Sequence, residues 1–272
     1  ACIFIIKFIP DCIFFFKNKS PLIIAKGDNE NFLASDTSAI LPFTNKILHI
    51  KDHEFGYIEK SKIKLYDNDL NPVKTSFETI DLKLNQIMLN GYKHFMHKEI
   101  EQGSQSVINT LNNLKPLLVN TIPNSLFRKK HNIYITACGT ALHAGRIAKY
   151  LIENQLKIPV QLDYASEFRY KNPIINSSTI CLLISQSGET ADTLGALELA
   201  KNLGATTISI TNTPQSRMEI LSDYVLPTSA GPEIAVASTK AYLAQISAIY
   251  CLVDHIAKLH NKKLDFTIQE II

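Results

Sequence analysis

Ser185-Gln186-Ser187-Gly188-Glu189-Thr190 puts three hydroxyls, one carboxamide and one glycine into six residues. That set suits an oxyanion, because hydroxyl and amide groups donate hydrogen bonds and glycine lets backbone approach closely. The run before it, Thr179 to Ile184, is apolar and β-rich. The run after it, Ala191 to Leu203, places Ala196, Leu199, Ala200 and Leu203 on one helical face, with Gly204 as a stop. The loop is therefore expected between the end of a buried strand and the start of a helix. Free backbone N–H groups and the positive end of the helix dipole favour a phosphate there. No lysine lies in the loop and G-x-x-x-x-G-K-[ST] is absent, which argues against a nucleotide P-loop. A small phosphorylated molecule fits the loop. A serine-rich turn that only caps a helix is the other reading, and the loop alone leaves both open.

Two further loops carry similar groups. Cys138-Gly139-Thr140-Ala141 follows a strand candidate at Ile133 to Ala137. Ser229-Ala230-Gly231-Pro232-Glu233 follows another at Tyr224 to Pro227 and leads into Ile234 to Lys240. Val160 to Asp163, Thr179 to Ile184 and Thr206 to Ile210 complete five strand candidates. Helical candidates alternate with them: Ala141 to Gln155, Thr190 to Leu203, Ile234 to Leu259, and shorter pieces at Ser166 to Tyr170 and Ser216 to Leu221. Strictly alternating strand and helix predicts an α/β fold, a five-stranded, parallel, doubly wound sheet with helices on both faces. Ligands bind such sheets beyond the carboxyl ends of the strands. The three loops are then expected to meet in one pocket lined by Thr140, Ser185, Gln186, Ser187, Thr190 and Ser238.

Other chemistry-bearing residues read more quietly. Cys138 near a helix start is a conceivable nucleophile, but only His143 is close in sequence, and a small buried cysteine is the plainer role. Glu233 and Lys240 could move protons or could simply pair. His94 and His97 share a helical spacing, yet no carboxylate or cysteine is placed to complete a metal site. No metal site is expected from these residues.

Residues 1–77 read as mostly short, antiparallel strands, including Leu22 to Ile24, Lys46 to Ile50, Gly56 to Glu59 and Ile63 to Tyr66, between turn signals. Two β-rich runs are expected to pair around a turn at Pro10-Asp11. A short capped helix is expected at Thr37 to Leu41, and so few strands are not expected to close a full core. Residues 78–93 are polar and read as a linker. A helix is expected from His94 to Leu114, opening the domain 94–272.

The chain has 272 residues, 46% hydrophobic and 19% charged, with a net charge of +3. That composition suits a globular protein, and the charge gives no footing for nucleic acid. Five scattered cysteines without C-x-x-C point away from a disulfide framework and toward a reducing cytoplasm. The apolar start, Ala1 to Ile9, contains Lys7 and is too short to span a membrane. A chain opening on Ala1 rather than methionine is expected of a fragment or a processed product.

Four stretches together resemble the glucosamine-6-phosphate synthase family, that is, glutamine–fructose-6-phosphate aminotransferase (isomerizing). They are Ala137 to Thr140, Ala165 to Tyr170, Ser185 to Thr193 and Val236 to Tyr242, and they resemble its first sugar isomerase (SIS) domain. His94 to Ile100 resembles the start of the isomerase part. Ser20-Pro21-Leu22 and Asn31 to Asp36 resemble the close of the glutaminase domain, so residues 1–77 would be a remnant of it. By this resemblance Ser185, Gln186, Ser187 and Thr190 would hold the phosphate of fructose 6-phosphate or glucosamine 6-phosphate. Thr140, Val236 and Ser238 would contact the rest of the sugar. Ala141 stands where many members have serine. The family's cofactor-free chemistry also needs an N-terminal cysteine nucleophile and a second SIS domain with a lysine, a glutamate and a histidine, and none of these is matched here. The resemblance therefore implies a phosphosugar-binding piece, no catalytic residue in this chain, and a homodimer or a complementing chain as partner. A non-catalytic SIS module that senses a sugar phosphate is the alternative, and a self-sufficient isomerase using Glu233 and Lys240 is a third.

Overall fold

The computed structural model describes residues 1–80, 88–129 and 132–271. They fall into two units, Ala1–Met88 and Leu89–Ile272. The expected linker, 78–93, begins on a short strand, and residues 81–87 lie outside the described residues.

The first unit holds two four-stranded antiparallel sheets. One sheet orders β1 (Cys2–Ile6), β2 (Ile9–Phe16), β6 (Phe55–Ile58) and β7 (Ile63–Tyr66) side by side. The other orders β4 (Asn31–Ala34), β3 (Ile23–Lys26), β5 (Lys46–His49) and β8 (Glu78–Thr79). Both sheets feed one apolar cluster that includes Phe15, Leu22, Ile24, Ile58 and Leu65, so this unit has more core than its short strands suggested. The first turn is not at Pro10-Asp11. Ile6 pairs with Ile9, which puts the turn at Lys7-Phe8, and the register then shifts so that Ile5 meets Ile13. Pro10 has no N–H to donate, and it sits in that irregular stretch instead of a regular ladder. The short helix shrinks to a single 3₁₀ turn, Thr37–Ala39.

The second unit opens on helices. The continuous helix expected from His94 to Leu114 is two helices, α1 (Phe95–Glu101) and α2 (Gly103–Thr121), broken at Gln102. A Cβ on Gly103 would lie 2.8 Å from Leu243 Cδ1, so glycine lets the chain approach closely where α2 starts. Helix α2 runs on through Pro116 because Leu111, Leu114 and Leu118 are all buried on one stripe. Their burial outweighs the single hydrogen bond that proline forfeits. A short helix, α3 (Asn124–Lys129), follows.

From there strand and helix alternate as the spacing predicts: β9 (Asn132–Ala137), α4 (Gly139–Leu151), β10 (Val160–Tyr164), α5 (Ala165–Phe168), β11 (Thr179–Ser185), α6 (Ala191–Asn202), β12 (Thr206–Thr211), α7 (Arg217–Leu221), β13 (Tyr224–Pro227) and α8 (Lys240–Leu259). The five strands form one wholly parallel sheet in the order β10-β9-β11-β12-β13. Two apolar layers sandwich it. Ile180, Leu182 and Ile184 face one layer, beside α2, α4 and α8. Cys181 and Leu183 face the other, with α5, α6 and α7. This period-two split explains why β11 is buried along its whole length.

Helix α8 is buried round much of its girth and holds His255, only 9% exposed, with its ring edge toward Phe127. Its Nε2 has no hydrogen-bond partner among the described residues. Burial, helped by Lys258 and opposed by Asp254, pushes the imidazole below its ordinary 6.5. The fold therefore favours neutral His255. Its contribution is complete above about pH 6.5 and is lost as pH falls below that toward the depressed folded value. Thermal melts of wild type and His255→Leu between about pH 7.5 and 5.5 should show a shallower decline in the variant. Parallel curves would clear His255 of this role.

Candidate functional site

The sheet order reverses direction between β9 and β11, and a crevice opens beyond the carboxyl ends of strands at such a point. A cavity of about 180 Å³ lies there. The loop after β9 supplies Cys138, Thr140 and Ala141. The end of β11 and the loop after it supply Ser185, Gln186, Ser187 and Thr190, and the segment before α8 supplies Val236 and Ser238. All seven residues expected to hold a sugar phosphate thus line one cavity. The sequence reading missed Gln245, which reaches the same cavity from α8. Its signal was a lone carboxamide within a stripe of small apolar residues, Ala241, Ala244 and Ala248.

The loop after β11 is internally braced. Ser185 is buried, and its Oγ accepts from Gly188 N at 3.1 Å and shares a 3.1 Å hydrogen bond with Thr190 Oγ1. Ser187 Oγ accepts from Glu189 N at 3.1 Å. Outward, Asn212 N donates to Gln186 O, Met218 N to Gly188 O, and Arg217 N to the Glu189 carboxylate. Gly188 has φ +67, and a Cβ there would lie 2.2 Å from Ser216 Oγ, so only glycine fits this bend. The first bond within α6 runs from Leu194 N to Thr190 O, which leaves the amides of residues 191–193 without an intrahelical acceptor. The start of α4 meets the same cavity through Thr140 and Ala141. Two helix N-termini and a ring of hydroxyls make this end of the sheet electropositive and rich in donors.

The other candidates resolve differently. Cys138 lines the cavity at the N-cap of α4, but His143 is exposed on that helix and no histidine lies among the cavity-lining residues. His97 lies 3.8 Å from Glu101 and packs edge-on to Tyr92. Among the described residues no group of three or more His, Cys, Asp and Glu side chains could hold a metal. Among them also, no helix is long and apolar enough to cross a membrane.

Comparison with known proteins matches residues 126–254 to the SIS domain family. The chain is 42% identical over 273 aligned positions to the glutamine–fructose-6-phosphate aminotransferase (isomerizing) of Clostridium tetani. That alignment takes in 97% of this chain and 45% of the relative. It is 43% identical to the enzyme of the same name from Caldanaerobacter subterraneus, over 89% of this chain and 41% of that protein. Among solved structures, the C-terminal domain of glucosamine-fructose-6-phosphate aminotransferase from Francisella tularensis superposes with a TM-score of 0.60 at 40% identity. It covers 68% of this chain and 52% of that one. Nearly the whole chain is thus similar to part of the glutamine–fructose-6-phosphate aminotransferases, and residues 126–254 match the SIS domain. The chain spans less than half the length of the curated relatives it matches.

The last segment of the SIS domain's site departs from expectation. The helix expected from Ile234 starts only at Lys240, and two carboxylates, buried Glu99 and half-buried Glu233, take up amides of the preceding segment. Glu99, 2% exposed on α1, accepts from Ile234 N at 2.7 Å and from Ala235 N at 3.2 Å. Glu233 accepts from Thr239 N at 2.8 Å, Ala241 N at 3.1 Å and Ser238 Oγ at 2.9 Å. The amides of Ile234, Ala235 and Thr239 are taken by side-chain oxygens, and residues 234–239 stay a loop that carries Val236 and Ser238 to the cavity. Glu233 is thereby a cap on α8, where the helix dipole favours its charge. Lys240 is buried with Nζ donating to Gln102 Oε1 at 2.9 Å. Burial lowers its pKa against the raising influence of Glu99 and Glu233. A hydrogen bond to a charged group contributes about 1.5–3 kcal/mol. Glu99→Gln should lower the stability of this domain in urea by an amount in that range and speed cleavage of residues 234–239 by a non-specific protease. An unchanged urea midpoint and cleavage rate would show that the loop does not depend on Glu99.

Proposed function

We propose that the SIS domain binds a sugar phosphate, fructose 6-phosphate or glucosamine 6-phosphate, as the phosphosugar-binding part of a glucosamine-6-phosphate synthase in amino-sugar biosynthesis. Ser185, Gln186, Ser187 and Thr190 hold the phosphate, and Thr140, Val236 and Ser238 contact the sugar. On this reading residues 1–77 are the closing part of a glutaminase domain, residues 78–93 a linker and residues 94–272 the sugar-binding domain. The observation that carries it is the convergence of a braced hydroxyl loop and two helix N-termini on one cavity at the strand-order reversal. The 40% identity to the Francisella domain adds support. Calorimetry with fructose 6-phosphate should show a loss of roughly 1–3 kcal/mol for the double variant Ser187→Ala, Thr190→Ala, as expected for two hydroxyl contacts. Equal affinity in both proteins would remove the loop from the site.

Moving a proton between adjacent carbons of a ketose phosphate needs a base within hydrogen-bond reach. Among the described residues that line the cavity, none is a carboxylate or an imidazole. Glu233, the nearest carboxylate in the loop sequence, is held by four backbone and hydroxyl donors. This favours binding without turnover by this chain alone, with a second chain completing the catalyst. The alternative, a non-catalytic SIS module, shares the same cavity and differs in needing no such chain. The purified chain should make no glucosamine 6-phosphate from fructose 6-phosphate and ammonium. Turnover abolished by Glu233→Gln would replace this reading with a self-sufficient isomerase.

A further inference from the structure

Gln245 is a polar residue where the fold calls for an apolar one. It lies in the second turn of α8, on the face that packs toward the sheet, beside Ala241, Ala244, Ala248 and Ile249, all fully buried. It is itself 2% exposed, and it lines the cavity together with Ile184 and Ser185 at the end of β11. Its Oε1 is buried and has no hydrogen-bond partner among the described residues. A buried acceptor left unpaired destabilises a fold, whereas a methionine or leucine of similar size would pack there without that penalty. The cavity gives the acceptor somewhere to find a donor. The oxygens of a dianionic phosphate ester carry no proton and only accept, so the ester phosphate cannot fill that need, while a sugar hydroxyl brings an O–H.

We propose that Gln245 is a ligand contact whose side-chain oxygen accepts a hydrogen bond from a hydroxyl of the bound sugar. It thereby makes the site prefer a polyol phosphate to phosphate alone. The inference rests on the sugar-phosphate reading of the cavity and adds to it the residue that reads the sugar end from the helix side. The division of labour follows from position. The loop after β11 sits at the helix N-terminus and faces the anion, and Gln245 projects from the body of α8, where hydroxyl recognition is what its carboxamide can supply.

Calorimetry with fructose 6-phosphate and, separately, with inorganic phosphate tests this on the wild-type chain and on Gln245→Met. Fructose 6-phosphate should bind the variant about three- to tenfold more weakly, the effect of one net hydrogen bond, while phosphate affinity stays the same. The melting temperature of the variant should be equal or higher, because an unpaired buried acceptor has gone. Equal fructose 6-phosphate affinity in the two proteins overturns the role of Gln245 and leaves the sugar-phosphate reading standing. Equal losses for both ligands overturn the hydroxyl contact. Absence of fructose 6-phosphate binding to the wild type overturns the sugar-phosphate reading and this inference with it. If Gln245→Met does not fold, the side-chain amide signal of Gln245 in the nitrogen-15 spectrum of the wild type decides. It should shift with fructose 6-phosphate and not with phosphate, and a signal blind to both ligands overturns the proposal.

Discussion

Strand β11 is buried from Thr179 to Ser185, and everything around the cavity follows from where that burial stops. Along the strand, backbone groups are paired on both sides by β9 and β12, and side chains are absorbed alternately by two apolar layers. At Ser185 the ladder ends and the chain must satisfy its polar groups by other means. It does so with its own hydroxyls: Ser185 Oγ takes Gly188 N, and Ser187 Oγ takes Glu189 N. The bend this produces requires the positive φ of Gly188 and sets the first turn of α6 facing the cavity. Helix α6 then returns over the sheet with Leu194 and Leu197 buried, which locks the loop from its far side.

The opposite wall is held by charge. Glu99 accepts the amides of Ile234 and Ala235, and Glu233 accepts those of Thr239 and Ala241 at the start of α8. Burying a carboxylate is costly unless it is well hydrogen-bonded, and buried Glu99 is. Glu99 comes from α1, far from this loop in sequence, so the helix that opens the second unit also shapes the last loop of the cavity. The two walls therefore differ in kind: one is braced by local hydroxyls, the other by carboxylate–amide bonds, local from Glu233 and long-range from Glu99.

Much of this was legible in the residues. The strands of the parallel sheet appeared close to their observed ends, because a sheet covered on both faces demands short apolar, β-branched runs, and such runs are conspicuous between turns. The expected cavity residues were readable because they lie on three loops at corresponding strand ends. The turn at Lys7-Phe8 was not readable, since Pro10-Asp11 carries the stronger turn signal and only the pairing of Ile6 with Ile9 overrides it. Nor was the break at Gln102 or the passage of α2 through Pro116, where packing against buried neighbours outweighs local propensity.

By itself the sequence determined the alternation of strand and helix, the parallel sheet that alternation implies, and the presence of a donor-rich loop at a strand end, because periodicity and turn chemistry are local properties. The tertiary structure decided which distant groups meet. It brought Glu99 to the amides of Ile234 and Ala235, and turned Gln245 from an unremarked residue in an apolar stripe into part of the cavity wall. Those outcomes depend on distances between segments far apart in the chain, and no local pattern of residues encodes them.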